Sequence, residues 1–145
     1  MKKRIISALK SKKGESYLDI VILVFVSMMA IVLTLNVFSY LTLKQDMDYI
    51  ATELVEVAAL EGLTKCSEIE KAFDDLCEST GIDASYIVTA EDYYNSSKHE
   101  VQLGDPITVT VTCQTTFRGL GALGESVDIT VESSKMGLSR VYFKD

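Results

Sequence analysis

Residues 14–62 read GESYLDIVILVFVSMMAIVLTLNVFSYLTLKQDMDYIATELVEVAALEG, and this stretch decides the fold. Its first half, Ile20 to Leu43, runs 24 residues without a charge. At a rise of about 1.5 Å per residue a helix of that length spans roughly 36 Å, enough to cross a ~30 Å hydrocarbon core. Ser27, Ala30, Thr34, Asn36, Ser39 and Thr42 interrupt the large apolar side chains. Small and hydroxyl residues of this kind mark helix contacts in lipid. Beyond Leu43 the composition changes but the helical period does not. Leu43, Met47, Ile50, Leu54 and Val57 recur at steps of 4, 3, 4 and 3, a one-sided apolar stripe. Lys44, Gln45, Asp48, Thr52, Glu53 and Glu56 fill the other positions. The pattern predicts one helix from about Tyr17 to Glu61, stopped by Gly62, a residue favoured just past a helix end. Its outer half packs on its own domain. Its inner half has no domain of its own and is free to serve as a spine shared with neighbours.

Working outward towards the N-terminus, residues 1–14 contain Lys2, Lys3, Arg4, Lys10, Lys12 and Lys13 and no acid, a charge of +6. The remainder contains eight basic and 21 acidic residues, a net of −13. Positive charge beside a span stays in the cytoplasm, which predicts a single-pass protein with a cytoplasmic N-terminus and an extracellular C-terminal part. The acidic exterior argues against nucleic acid as a partner, because phosphates would be repelled. A secretory signal places its cleavage site after the apolar run. Here the small residue, Gly14, lies before it, so a cut between Gly14 and Glu15 would leave the apolar helix on the mature chain. The organisation expected is a basic leader over 1–14, a transmembrane and assembly half-helix over 15–43, and an α+β head over 44–145.

Towards the C-terminus, Ser67 and Glu70 match a capping box, S-x-x-E, opening a short helix that carries Ile69, Ala72, Phe73, Leu76 and Cys77 and ends before Gly81. Ser85 to Ala90 reads as a short strand, and Asp92 to Gly104 as a polar loop. Ile107, Val109, Val111, Cys113 and Phe117 alternate with Thr108, Thr110, Thr112 and Gln114, and Val127, Ile129 and Val131 alternate with Asp128, Thr130 and Glu132. Both are the period-two pattern of half-buried antiparallel strands. Between them Arg118 to Gly124 is a glycine-rich hairpin connection. It lacks the G-x-x-x-x-G-K-[ST] pattern and the following helix that a phosphate loop requires. Leu138 to Phe143 is expected to return to the sheet as a last strand.

The chain offers little catalytic chemistry. His99 is the single histidine and sits in the polar loop. H-E-x-x-H, G-x-S-x-G and C-x-x-C patterns are absent, and no D-x-[DN]-x-[DN]-G loop organises the acids for calcium. The reading is non-enzymatic, with no cofactor, no metal and no small-molecule substrate. Asn95-Ser96-Ser97 fits the N-glycosylation pattern, which is common by chance. Cys66 and Cys77 stand at opposite ends of the short helix, about 16 Å apart along its axis, too far for the ~7 Å that a disulfide allows. A Cys77–Cys113 bond is the natural pairing; three free thiols are the alternative, and the odd count excludes a fully paired framework.

The leader ending at Gly14, the acid at Asp19 and the following apolar helix resemble a class III signal peptide, the type processed by prepilin peptidases in type IV pilins and their relatives. The usual acid is glutamate and the usual first mature residue phenylalanine; here they are Asp19 and Glu15. The strand segments Phe117 to Gly121 and Ser126 to Val131 are similar to those of TadE-like pseudopilins of tight-adherence pili. The whole chain also resembles an uncharacterised family of short membrane proteins from clostridia and related Firmicutes. The resemblance implies a structural subunit of an extracellular filament at a Gram-positive cell surface. Its partners would be a prepilin peptidase, the membrane, and identical or related pilin subunits. It also implies that Asp19 pairs with the N-terminal amine of a neighbour during assembly. The alternative is an uncleaved signal-anchor protein whose extracellular head binds a surface or conjugation component.

Overall fold

The computed structural model describes residues 12–120 and 125–144, with side chains over 17–116 and 128–144. Residues 1–11 of the expected leader and 121–124 of the glycine-rich connection lie outside this set. The chain is α+β: helix α1 (Lys12–Glu61), helix α2 (Ser67–Thr80), and strands β1 (Ala84–Ala90), β2 (Pro106–Leu120) and β3 (Glu125–Leu138). The 50 residues of α1 make a rod about 75 Å long. It begins five residues before the predicted Tyr17 and ends at the predicted place. The Gly62 amide closes the last turn on the Ala58 carbonyl at 2.9 Å.

The outer half of α1 carries the core. Met47, Ile50, Ala51, Leu54 and Ala58 are wholly buried, whereas Leu43 and Val57, the two ends of the predicted stripe, are only half-buried. Steps of 4 and 3 average 3.5 residues, and a straight α-helix of 3.6 drifts about 20° per heptad away from such a pattern. The buried line therefore leaves Val57 and passes to Ala58.

The sheet is antiparallel in the order β1-β2-β3. Ile107, Val109, Val111 and Cys113 of β2 are buried in the same cluster as the α1 stripe, while Thr108, Thr110 and Thr112 are part-exposed. Ile69 of α2 is buried, and Phe73 lies 4.4 Å from the Tyr86 ring of β1, centroid to centroid. Val101 comes from the polar loop yet is wholly buried, its amide bonded to the Gly62 carbonyl at 2.8 Å. On β3, Gly137 lets the helix approach: a Cβ there would stand 3.0 Å from Cγ2 of Val55.

Two features differ from the sequence expectation. The capping box does not form. Cys66 occupies the cap position of α2, and the Ser67 hydroxyl bonds the neighbouring Glu68 carboxylate at 3.0 Å instead. With Ser67 already inside the helix, Glu70 falls one residue too late to reach back. The last strand is also absent among the described residues. β3 runs on to Leu138, and residues 139–144 cross the end of α1, where the Arg140 amide bonds the Ala59 carbonyl at 2.8 Å. That carbonyl belongs to the last turn of α1, whose acceptors have no partner within the helix, so it competes successfully with a strand edge. The strands are also unequal in length. β1 pairs only with Ile107–Cys113, and β2 and β3 continue together past it as a two-stranded arm towards Leu120 and Glu125.

Candidate functional site

The most exposed apolar surface of the molecule is the inner half of α1. From Tyr17 to Leu41, nineteen large apolar side chains stand at least 38% exposed. In a soluble protein an apolar face of this extent would be covered. The helix is long and apolar enough to cross a membrane, and its apolar window makes no burying contact with the head. Four of its polar side chains bond back to the helix itself. The hydroxyls of Ser27, Thr34 and Ser39 and the amide of Asn36 donate to the carbonyls of Leu23, Ala30, Leu35 and Val32, at 2.7 to 3.0 Å. These bonds lower the cost of moving the four side chains into lipid or a packed bundle. Ser27, Ala30 and Thr34 share one helical face, opposite the line that continues through Asn36 and Leu43 into the core.

Asp19 is exposed on α1, one residue before the uncharged run. Gly14 and Glu15 have helical backbone. Glu15 stands four residues, about one turn of backbone, before Asp19. All three residues thus lie near the inner end of the helix. Whether the chain is cut there is a matter of chemistry outside the fold.

The junction between the two halves of α1 holds a polar clasp that sequence reasoning missed. Asp48 accepts a hydrogen bond from the buried hydroxyl of Ser133 on β3. Lys44 and Lys135 flank the same carboxylate at 3.5 and 3.8 Å, and Lys44 also donates to the backbone carbonyl of Glu132. The Ser133 bond holds the Asp48 carboxyl below its ordinary range, against the opposing effect of burial, and the two lysines add to the lowering. The signal was present in the sequence: Ser133 continues the inward parity of Ile129 and Val131, so a hydroxyl there had to find a partner on α1.

The cysteines lie partly as expected. Cys77 sits against Ala84, and Ala84 pairs with Cys113 across β1 and β2, so helix and strand bring the two thiols to one place. They are nevertheless unbonded; Cys66, Cys77 and Cys113 are all free. Burial is the main cause raising each thiol above its ordinary value, and the Asp83 carboxylate raises both Cys77 and Cys113 further. They stay protonated and unreactive near neutral pH. His99 sits in a turn with a φ of 59°, its ring edge-on to Tyr93 at 6.3 Å. The Asn95 side-chain oxygen is engaged by the amides of Ser97 and Lys98. Among the described residues no group of three or more His, Cys, Asp or Glu side chains is arranged to hold a metal ion.

The surface this chain offers is therefore a hydrophobic rod held by a compact head. No curated protein and no solved structure matches it. A family model described as a domain of unknown function does match, over residues 22–144, which takes in most of α1 and the whole head, and the chain belongs to that family, DUF4320.

Proposed function

We propose that this protein is a structural subunit, a pilin or pseudopilin, of an extracellular filament of the type IV or Tad kind. In this reading the N-terminus lies in the cytoplasm, the inner half of α1 crosses the membrane, and the head is extracellular. A prepilin peptidase cuts between Gly14 and Glu15. Extraction from the membrane then buries the apolar half-helix among the helices of other subunits. The observation that carries the reading is the exposure of the large apolar side chains of α1 from Tyr17 to Leu41, joined without a break to a half that packs one face on the head. Each large apolar side chain buried in assembly contributes at most about 1.5–3 kcal/mol, so partial burial of the nineteen suffices to hold a filament without covalent links.

A second reading is an uncleaved signal-anchor protein whose head binds a surface or conjugation component. It is favoured by the helical backbone of α1, which runs from Lys12 through Gly14 and Glu15 without interruption. Mass spectrometry of the mature N-terminus separates the two, and electron microscopy of sheared cell-surface material tests assembly. A mature chain beginning at Glu15 together with filaments supports the first reading. An intact leader in cells that express a prepilin peptidase supports the second.

A further inference from the structure

The unequal strands have a consequence for the membrane. β1 stops opposite Cys113, and beyond it β2 and β3 run on as a two-stranded arm whose last described pair is Leu120 and Glu125. The arm does not point away from the helix's apolar half. Thr115, Thr116 and Ile129 line one groove with Asn36, Ser39 and Tyr40 of α1. Asn36 is part-buried although its neighbours on both sides are exposed. The head therefore overlaps the uncharged run of α1 by at least the eight residues from Asn36 to Leu43, about 10 Å along the axis. From Thr116 to Leu120 the strands continue for up to about 13 Å of their own length.

A hydrocarbon core cannot cover the helix as far as Leu43, because it would then engulf the arm. The Asp128 carboxylate is exposed and bonded to the Thr116 hydroxyl at 2.9 Å, and a carboxylate is expensive in hydrocarbon. Ending the core near Asn36 leaves Ile20–Asn36, 17 residues, at the lower limit of the roughly 17–25 that span a bilayer. The tyrosines agree independently. Tyr17 and Tyr40 bracket the apolar run, 23 residues or about 35 Å apart, the spacing expected of residues that sit in the two membrane–water interfaces. Tyr40 shares its groove with the arm.

We propose that the β2–β3 arm is a membrane-seating element: it lies in the headgroup layer of the leaflet nearest the head and contacts phospholipid, and the helix leaves the hydrocarbon at Asn36–Tyr40. The residue types at its lower end suit that layer. The sequence there contains Phe117, Arg118 and Leu120, an apolar and basic mixture suited to that layer, and the exposed Asp128 carboxylate restricts how deep the arm goes. Seating fixes the height and rotation of the head on the membrane. This inference rests on the membrane reading given above.

The chain contains no tryptophan, so single tryptophans report position directly. Leu120→Trp and Phe117→Trp would be placed on the arm, Tyr40→Trp at the proposed boundary, Val24→Trp within the span and Met136→Trp on the outer face of the head. Each full-length variant, checked for unchanged circular dichroism, is reconstituted in phosphatidylcholine vesicles carrying bromine on the acyl chains. Bromine near the headgroup end should quench the arm and Tyr40→Trp reporters more than bromine near the methyl end, with blue-shifted emission and little quenching by aqueous iodide. Val24→Trp should favour the deep bromine, and Met136→Trp should respond to iodide alone. Arm reporters that respond to iodide and not to bromine, while Val24→Trp is quenched, overturn the seating and leave the membrane reading standing. An unquenched Val24→Trp overturns both. Arm reporters shielded from iodide and bromine alike, with shielding that grows with protein-to-lipid ratio, overturn the seating in favour of a contact between copies.

Discussion

Asp48 of α1 and Ser133 of β3 are joined by a hydrogen bond from a buried hydroxyl to a carboxylate, and the bond lies where the exposed rod becomes a packed helix. It ties β3, an edge strand of the sheet, to the spine. Lys44 of α1 and Lys135 of β3 complete the tie from either side, and a lysine on an edge strand, as Lys135 is, also discourages pairing with another chain.

Ser133→Ala should destabilise the head by about 1 kcal/mol. This is below the roughly 1.5–3 kcal/mol of a hydrogen bond to a charged group, because the Asp48 side chain is 41% exposed and its charge is screened. Asp48 has a depressed folded pKa, so its contribution is present above the ordinary value of 3.8 and is lost as pH falls through the folded one. Thermal melting of wild type and Asp48→Asn should therefore differ at neutral pH and converge in acid below that value.

The core stripe makes a sharper prediction. Leu54 is wholly buried in the cluster formed by α1, α2 and the sheet. Leu54→Asp puts an unpaired charge there and should cost more than about 4 kcal/mol, unfolding the head. A soluble fragment starting near Lys44 retains this core and should fold. One starting at Asn36 should be more stable, with the difference in hydrogen-exchange protection confined to the arm, because Asn36, Ser39 and Tyr40 support Thr115, Thr116 and Ile129.

Much of this was legible in the chain, and the exceptions share a cause. The rod, the stripe, the helix over Ser67–Thr80 and the alternating strands are local periodicities, and local periodicity is what a sequence displays. The burial of Val101, the clasp at Asp48 and the depth of the arm depend on which elements meet. Val101 has no periodic neighbours, so nothing in its loop distinguished it. The arm was hidden because the difference in length between β1 and its partners becomes meaningful only once the register sets Ala84 against Cys113. The cap at Cys66 was misplaced by a single residue, the usual uncertainty of a helix boundary. The candidate site divides in the same way: Asp19 stands out as an acid beside an apolar run, whereas cleavage at Gly14 is read from a resemblance.

Two glycines separate backbone strain from packing. Gly62 and Gly81 have nearly the same φ, +65° and +68°, but a Cβ at Gly62 would lie 2.7 Å from Cβ of Val141, while one at Gly81 meets nothing within 4 Å. Gly81→Ala should cost about 1–2 kcal/mol, the penalty of a left-handed conformation. Gly62→Ala should cost clearly more, because residues 139–144 must also move. Chemical denaturation of the two variants in one head fragment measures the difference, and equal losses would show that the C-terminal segment yields freely.

If the leader is removed, Gly14→Val should block removal, since a β-branched side chain obstructs the cleavage pocket of a peptidase that takes glycine. Cells that express a prepilin peptidase should accumulate the variant at the mass of the intact chain, and wild type at the mass beginning with Glu15. Equal processing of both would place the cut elsewhere.

Cleavage would also define the task of Asp19. The new amine at Glu15 lies one turn from Asp19 on the same helix, about 6 Å along the axis, and each charge is costly if left alone among apolar side chains. Pairing with the amine of a neighbour offsets both costs and fixes the axial register between subunits. Asp19→Ala should then leave expression, membrane insertion and the melting of the head unchanged while lowering the yield of polymer. Asp19→Glu should stay close to wild type, because it keeps the charge and extends its reach. The competing role is a solvated acid at the cytoplasmic interface near the helix start, where the dipole contributes only ~0.3–1 kcal/mol. In that case Asp19→Ala polymer, sheared from cells and quantified beside wild type, would reach the same yield. The two roles also differ in their dependence on processing. A register role requires the free amine, so combining Asp19→Ala with Gly14→Val should lower polymer no further than Gly14→Val alone.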